Sequence, residues 1–204
     1  MRFRVAISGS PGTGKTTLAK ALAERWSVPW IPEDVVAVMR ADAAYLAAMF
    51  DEVSAWQRSA DPEASRDALA GAFIEWFSRR DAQLTNLQGF IADRWELDLL
   101  GWWLMRFGIG EHGLDQQTHQ LIQVMAKRAQ QLDLVVLVPI GEVFSKTPNE
   151  DGLQRSVDFS GQVLSRSLAL GLLAGCAQVK TLQLPAECIS TEARIELIAK
   201  TIES

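Results

Sequence analysis

The chain has 204 residues and a mass of 22.5 kDa, which is enough for one domain with a sizeable core. Hydrophobic residues make up 48% and charged residues 22%, a balance that excludes wholesale disorder, collagen-like repeats and a disulfide scaffold. The net charge of -5 argues against a nucleic-acid partner, because binding to a phosphate backbone depends on a basic surface.

The cysteines and the apolar runs bear on the cellular compartment. Cys176 and Cys188 lack the close spacing of a zinc knuckle and are expected to be reduced thiols. The first residues lack the apolar core of a leader peptide, and the longest uncharged apolar run, 168–177, is too short to cross a membrane. We therefore expect a cytoplasmic protein with no membrane partner.

Short apolar segments alternate with helical patterns along the whole chain. The predicted strands are residues 3–8, 28–32, 90–93, 134–140 and 179–184. Apolar residues at three- and four-residue spacing predict helices over 16–26, 97–107, 114–132, 153–173 and 191–202. Strands that alternate with helices form a parallel sheet covered on both faces. We expect one α/β domain over 1–204, with five parallel strands and the first of them central.

Residues 34–88 are helical in pattern and too numerous for a single crossover between strands two and three. They are predicted to form a helical cap beside the carboxyl edge of the sheet, where open α/β sheets bind ligands. Within the cap, Asp61-Pro62 predicts the start of a helix, since proline is favoured in the first turn. Residues 141–152 lack any periodicity and are predicted to be a mobile loop.

A phosphate-binding motif follows the first predicted strand. Residues 9–16 read G-S-P-G-T-G-K-T, a complete G-x-x-x-x-G-K-[ST] motif between a strand and a helix. Glycines let backbone N–H groups close around a phosphate, and the helix directs its positive end at the anion. The predicted nucleotide-binding residues are Gly9, Gly12, Thr13, Gly14, Lys15, Thr16 and Thr17.

This motif predicts a P-loop NTPase fold that binds ATP and Mg²⁺. Lys15 is expected to reach the β- and γ-phosphates, and the Thr16 hydroxyl is expected to ligate Mg²⁺. ATP is preferred to GTP by default, because no NKxD-like guanine-reading motif is present.

The sequence ISGSPGTGKTTLAKALAERWSVPWIPED, which begins at Ile7, resembles the start of the nucleoside-kinase-like P-loop group. That group includes ribosylnicotinamide kinase domains, with deoxynucleoside kinases as more distant relatives. The resemblance resumes at FIADRWELD from Phe90 and at VLVPIGEVFSKTPNEDGLQRS from Val136, and covers about half of the chain. It implies a kinase that moves the γ-phosphoryl group of ATP to a hydroxyl of a nucleoside or similar small metabolite.

The resemblance also implies roles for acidic and basic residues after strands two and three. Glu33 would receive the proton of the acceptor hydroxyl, as the acidic residue after strand two does in the resembled families. Asp93 would sit behind Mg²⁺ through water, and Arg94 would organise the acceptor end. Two other interpretations stay open: Glu33 or Asp34 caps the next helix, and Asp93-Arg94 forms a surface ion pair with Glu96 or Asp98.

A lid over residues 141–156 is the third implied feature. In kinases of this architecture the lid carries arginines to the transferring phosphoryl group, which indicates Arg155 here, with Arg166 on the same helix face. A solvated helix face is the alternative. The sequence does not choose which of the cap arginines, Arg40, Arg58, Arg66, Arg79 and Arg80, contacts an acceptor.

The sequence leaves three rival functions open, one of them a degenerate ATP-binding protein without turnover. A nucleoside-monophosphate kinase has an anionic acceptor and needs arginines more than a carboxylate. A regulatory ATPase or nucleotide switch needs a protein partner instead of a small acceptor. The identity of the acceptor and the oligomeric state are open as well, and a homodimer is one candidate.

Overall fold

The computed structural model describes residues 3–9, 13–33, 62–107, 114–139, 179–188 and 190–203. Within these ranges the strands are β1 (Arg4–Gly9), β2 (Trp30–Ile31), β3 (Phe90–Asp93), β4 (Leu134–Val138) and β5 (Thr181–Gln183). The helices there are α1 (Lys15–Trp26), α2 (Pro62–Leu84), α3 (Glu96–Phe107), α4 (Gln116–Ala129) and α5 (Thr191–Glu203). The first part of the cap, 34–61, and the predicted lid, 141–156, lie outside the described residues, as does the predicted helix 153–173.

The described strands form one sheet in the order β2-β3-β1-β4-β5, and every neighbouring pair is parallel. The predicted five-stranded parallel sheet with a central first strand is therefore confirmed. Ile7 of β1 lies opposite Asp93 of β3, and Gly9 lies opposite Val138 of β4. The phosphate motif thus leaves the sheet between the ends of two neighbouring strands.

Both faces of the sheet are covered, because successive strand residues point to opposite faces. Val5 and Ile7 pack with α1 and α5 in a cluster that also contains Leu18, Leu22 and Ile198. Ala6 belongs to the opposite cluster, in which α2, α3 and α4 contribute Phe73, Trp76, Trp103 and Met125. All five residues of β4 are buried, as its unbroken apolar sequence predicts.

Several elements are shorter than predicted, and prolines and a cap explain the difference. β2 has only two residues, because Pro29 and Pro32 on either side lack the N–H that a ladder needs. β4 ends at Val138 directly before Pro139. α4 begins after Asp115, whose side chain accepts a 2.8 Å hydrogen bond from the Thr118 N–H. α2 begins at Pro62, as predicted.

No helix in the described ranges combines the length and the apolar character that crossing a membrane requires.

Candidate functional site

The phosphate loop is held close to the sheet by its first glycine. A Cβ atom on Gly9 would lie 3.0 Å from the carbonyl oxygen of Val138 and 3.1 Å from Thr13 Oγ1, closer than real Cβ atoms tolerate easily. Gly14 has φ +83°, a left-handed conformation that favours glycine, and α1 starts at the next residue. The sequence motif therefore has the backbone geometry it predicts at both of these positions, while Gly12 lies outside the described residues.

Lys15 is the first residue of α1 and is only 5% exposed. Burial lowers its pKa to about 7, and the nearby positive charge of Arg94 acts in the same direction. The carboxylates of Asp98, Glu33 and Asp93 act in the opposite direction without restoring the usual value. An additional anion would stabilise the charged form of this buried amine. A phosphate group is the anion that loops of this sequence bind.

The Thr16 hydroxyl donates a 2.5 Å hydrogen bond to Asp93 Oδ2. The other carboxylate oxygen, Oδ1, is buried and accepts no hydrogen bond from the residues that the structure describes. Burial raises the pKa of Asp93, although the Thr16 hydrogen bond and the charge of Lys15 oppose this shift. A buried carboxylate oxygen without a partner, beside a threonine hydroxyl, fits the oxygen ligands that Mg²⁺ prefers.

Arg94 is the centre of a buried charge cluster at the carboxyl edge of the sheet. Its side chain is 3% exposed, and its Nε lies 2.6 Å from Glu33 Oε1. Nη1 lies 3.2 Å from Asp98 Oδ1 and donates a 3.1 Å hydrogen bond to the Gly9 carbonyl. Burial acts to lower the pKa of Arg94, but Glu33 and Asp98 outweigh it, so its pKa is raised.

The interpretation of Asp93-Arg94 as a surface pair is therefore wrong. Arg94 does pair with Asp98, but the two side chains are only 3% and 7% exposed. Arg94 also has φ 63°, a left-handed conformation that is uncommon for a residue with a side chain. Such conformations occur often at functional sites, where the surrounding structure holds them in place.

Asp98 is a site residue that sequence reasoning named only as a surface partner. Besides pairing with Arg94, it accepts hydrogen bonds from the Gly9 N–H at 3.2 Å and from the Trp95 N–H at 3.3 Å. It thereby connects the phosphate loop to Arg94. The only signal in the sequence was that the two residues lie four apart, although Arg94 precedes α3 and the contact does not run along a helix.

Arg194 on α5 is a second residue that the sequence did not indicate. Its Nη1 donates a 3.2 Å hydrogen bond to the Thr13 carbonyl, and its Nε donates a 2.6 Å hydrogen bond to the Cys188 carbonyl. Arg194 therefore bonds the phosphate loop at Thr13, whereas Asp98 bonds it at Gly9. Thr13 and Arg194 are 181 residues apart, so no local pattern connects them.

The structure thus brings Lys15, Thr16, Glu33, Asp93 and Arg94 together around the phosphate loop. Thr17 is exposed in the first turn of α1, and its part in nucleotide binding stays a prediction. Asp34 and Arg155 lie outside the described residues, and so does Arg166, so the lid also stays a prediction.

The sequence profile of a family described as an AAA domain matches residues 4–164, which include the phosphate loop and the charge cluster at Arg94. The chain belongs to the AAA domain family. Among curated proteins, none matches the sequence significantly. The resemblance to ribosylnicotinamide kinase domains stays a prediction.

Solved structures share the fold of this AAA domain protein along nearly its whole length. Deoxyadenosine kinase from M. mycoides with bound dATP has a TM-score of 0.66 and 15% identity, covering 98% of this chain and 100% of that chain. Thymidylate kinase from Candida albicans has a TM-score of 0.55 and 12% identity, covering 99% and 91%. Thymidylate kinase from Ehrlichia chaffeensis has a TM-score of 0.53 and 15% identity, covering 99% and 98%. At these identities the likeness establishes the P-loop fold alone.

Proposed function

We propose that this protein is an ATP-dependent kinase that phosphorylates a hydroxyl group of a nucleoside or a similar small metabolite. The observation that carries the proposal is the Glu33–Arg94 ion pair, which lies at the same sheet edge as Lys15 and the Thr16–Asp93 pair. A phosphate-binding loop beside a carboxylate is the arrangement that transfer to an alcohol requires. The fold shared with deoxyadenosine kinase supports this choice.

The phosphate end of the site is formed by the loop and the start of α1. Backbone N–H groups near Gly14 and the positive end of α1 would face the β-phosphate. Lys15 would bind the β- and γ-phosphates and regain its full charge there. Thr16 and Asp93 would hold Mg²⁺, which when bound neutralises part of the charge on the phosphates.

The acceptor end is formed by Glu33. Its side chain is 18% exposed, whereas its partner Arg94 is 3% exposed. The carboxylate is therefore partly accessible, and the buried guanidinium fixes its position. The acceptor hydroxyl oxygen would attack the γ-phosphorus as the bond to the ADP oxygen breaks, and the hydroxyl proton would pass to Glu33. The transition state of such transfers is loose, so orientation by Glu33 matters more than its strength as a base.

The remaining parts of the proposal come from the sequence predictions. Arg155 from the lid would add a second positive charge at the transferring group. Closure of residues 141–156 would exclude water, which a kinase must keep from hydrolysing ATP. We expect the protein to act in the cytoplasm, and a homodimer remains one candidate assembly.

The carboxylate can be tested by substitution. Glu33→Gln keeps the size of the side chain and removes the charge, and we expect kcat with a hydroxyl acceptor to fall by roughly 10²- to 10⁴-fold. Affinity for an ATP analogue should stay near the wild-type value. Glu75→Gln is the matched control, because Glu75 is exposed on α2 and pairs only along that helix with Arg79 in the contacts the structure describes.

A nucleoside-monophosphate kinase is the second candidate, favoured by the fold shared with two thymidylate kinases. A panel of nucleosides and nucleoside monophosphates, assayed with both variants, separates the two. Phosphorylation of monophosphates that is unaffected by Glu33→Gln would favour this second candidate. ATP hydrolysis that no small acceptor stimulates would contradict both.

A further inference from the structure

A buried arginine on α2 reaches the acceptor end of the site. Arg80 is 2% exposed, although it lies in a helix whose other charged residues are mostly on the surface. Its guanidinium donates from Nη1 to the Pro32 carbonyl at 2.9 Å and from Nη2 to the Arg94 carbonyl at 2.7 Å. A longer contact of 3.4 Å joins Nη2 to the Asp93 carbonyl.

These carbonyls belong to two different strand ends. Pro32 directly precedes Glu33, and Asp93 is the last residue of β3. One planar guanidinium therefore spans the ends of β2 and β3, and its rigid fork of donors is pre-organised for two such bonds.

Both strand ends need such support. β2 is the edge strand of the described sheet and has only two residues, so few ladder hydrogen bonds fix the backbone that leads into Glu33. Arg94 has φ 63°, and a hydrogen bond to its carbonyl stabilises this uncommon conformation. The face of Trp76, whose ring centroid lies 5.0 Å from the guanidinium carbon, holds Arg80 in place from its own helix.

We propose that Arg80 is a positioning residue that fixes Glu33 against Arg94 and so couples α2 to the acceptor end of the site. It acts through the backbone of its neighbours and contacts no reacting atom. Its catalytic consequence rests on the proposed kinase function, but its structural consequence does not. Arg94 also bonds the phosphate loop at Gly9, but Asp98 and Arg194 hold the loop as well, so nucleotide affinity should depend on Arg80 less than acceptor turnover does.

The neighbouring arginine provides a matched control. Arg79 is exposed and pairs with Glu75 one turn earlier on the same helix. Arg79→Met and Arg80→Met each remove a guanidinium group from α2, at adjacent positions. The change in helix propensity is the same in both variants. Arg80→Lys keeps the charge but lacks the planar fork whose two nitrogens bond the two strand ends.

The first measurement is the exchange of the Arg94 Nε–H with water, followed by NMR and assigned by its loss in Arg94→Lys. In the wild type and in Arg79→Met this proton should be protected by the ion pair with Glu33. In Arg80→Met it should exchange faster, and in Arg80→Lys it should be intermediate. This readout needs neither nucleotide nor acceptor.

The second measurement compares kcat, the acceptor KM and the affinity for an ATP analogue. Arg80→Met should lower kcat/KM for the acceptor by roughly 10- to 100-fold, the size expected for a misplaced catalytic group. Nucleotide affinity should fall by a smaller factor. Arg80→Lys should recover part of the loss, and Arg79→Met should behave as the wild type.

Equal protection of the Arg94 Nε–H in folded Arg80→Met and in wild type would overturn the proposal. If Arg80→Met does not fold, Arg80→Lys carries the test, and full protection with full turnover in that variant would overturn it too. The two proposals can fail separately. If the Arg94 Nε–H exchanges faster in Arg80→Met but the wild type phosphorylates no acceptor, the positioning role is upheld and the kinase function is refuted.

Discussion

Proton uptake on nucleotide binding follows from the burial of Lys15. Burial is the main cause that lowers its pKa from 10.5 to about 7. Roughly nine in ten Lys15 side chains would be neutral at pH 8 and roughly one in ten at pH 6. Polyphosphate beside the amine favours the charged form, so binding should add ~0.9 proton at pH 8 and ~0.1 at pH 6 through this residue.

Isothermal titration calorimetry measures this uptake directly. The binding enthalpy of a non-hydrolysable Mg·ATP analogue is recorded at each pH in buffers of different ionisation enthalpy. The slope of the observed binding enthalpy against the buffer ionisation enthalpy gives the number of protons taken up on binding. Lys15→Met supplies the uptake due to the nucleotide's own phosphates, and the difference from wild type isolates Lys15. Lys20→Met is the control on the same helix, where Lys20 is exposed and lies over the ring of Trp30.

The same shift predicts a change in stability. Between pH 7 and 10.5 the unfolded chain holds a proton on Lys15 that the folded protein does not, so wild-type stability should rise with pH relative to Lys15→Met. Below pH 7 the full penalty applies, and Lys15→Met should be the more stable protein by on the order of a few kcal/mol. A difference in proton uptake that is the same at pH 6 and pH 8, or a less stable Lys15→Met at pH 6, would refute the reasoning.

Three other substitutions probe the supports of the site. Gly9→Ala should destabilise the fold and abolish nucleotide binding, because its Cβ would lie 3.0 Å from the Val138 carbonyl; thermal denaturation and nucleotide titration check both. Asp98→Asn should lower the free energy of unfolding by about 3 kcal/mol, since it leaves Arg94 with one fewer buried counter-charge; an unchanged denaturant midpoint would contradict this. Arg194→Met should leave the fold intact and weaken binding of an ATP analogue roughly tenfold, by about 1.4 kcal/mol of lost loop support; equal affinity would contradict it.

Local patterns in the sequence located the strands and helices that the structure describes, with bounds that differ by a few residues at most. The bounds of β3 agree with the prediction, and α2 begins at the proline that predicted it, because chain-local apolar spacing and proline geometry determine both. The phosphate loop was predictable for the same reason, since eight consecutive residues carry its chemistry.

The supports of the site depend on topology and could not be predicted in this way. Asp98 bonds to Gly9 across 89 residues, and Arg80 bonds to Pro32 across 48 residues. These contacts exist because parallel strands bring their carboxyl ends to one edge, where helices from distant parts of the chain meet them. Burial of Arg94 likewise follows from the position of β3 inside the sheet, which its own residues do not reveal.

The central claim is that the phosphoryl group of ATP goes to a hydroxyl of a small acceptor. The most direct measurement is the balance of products: ADP, inorganic phosphate and phosphorylated acceptor, quantified by mass spectrometry after incubation with Mg·ATP and a mixture of nucleosides. We predict one phosphorylated nucleoside for each ADP formed, with little inorganic phosphate and with both products lost in Glu33→Gln. ADP matched only by inorganic phosphate, at the same rate with and without acceptors, would contradict the claim.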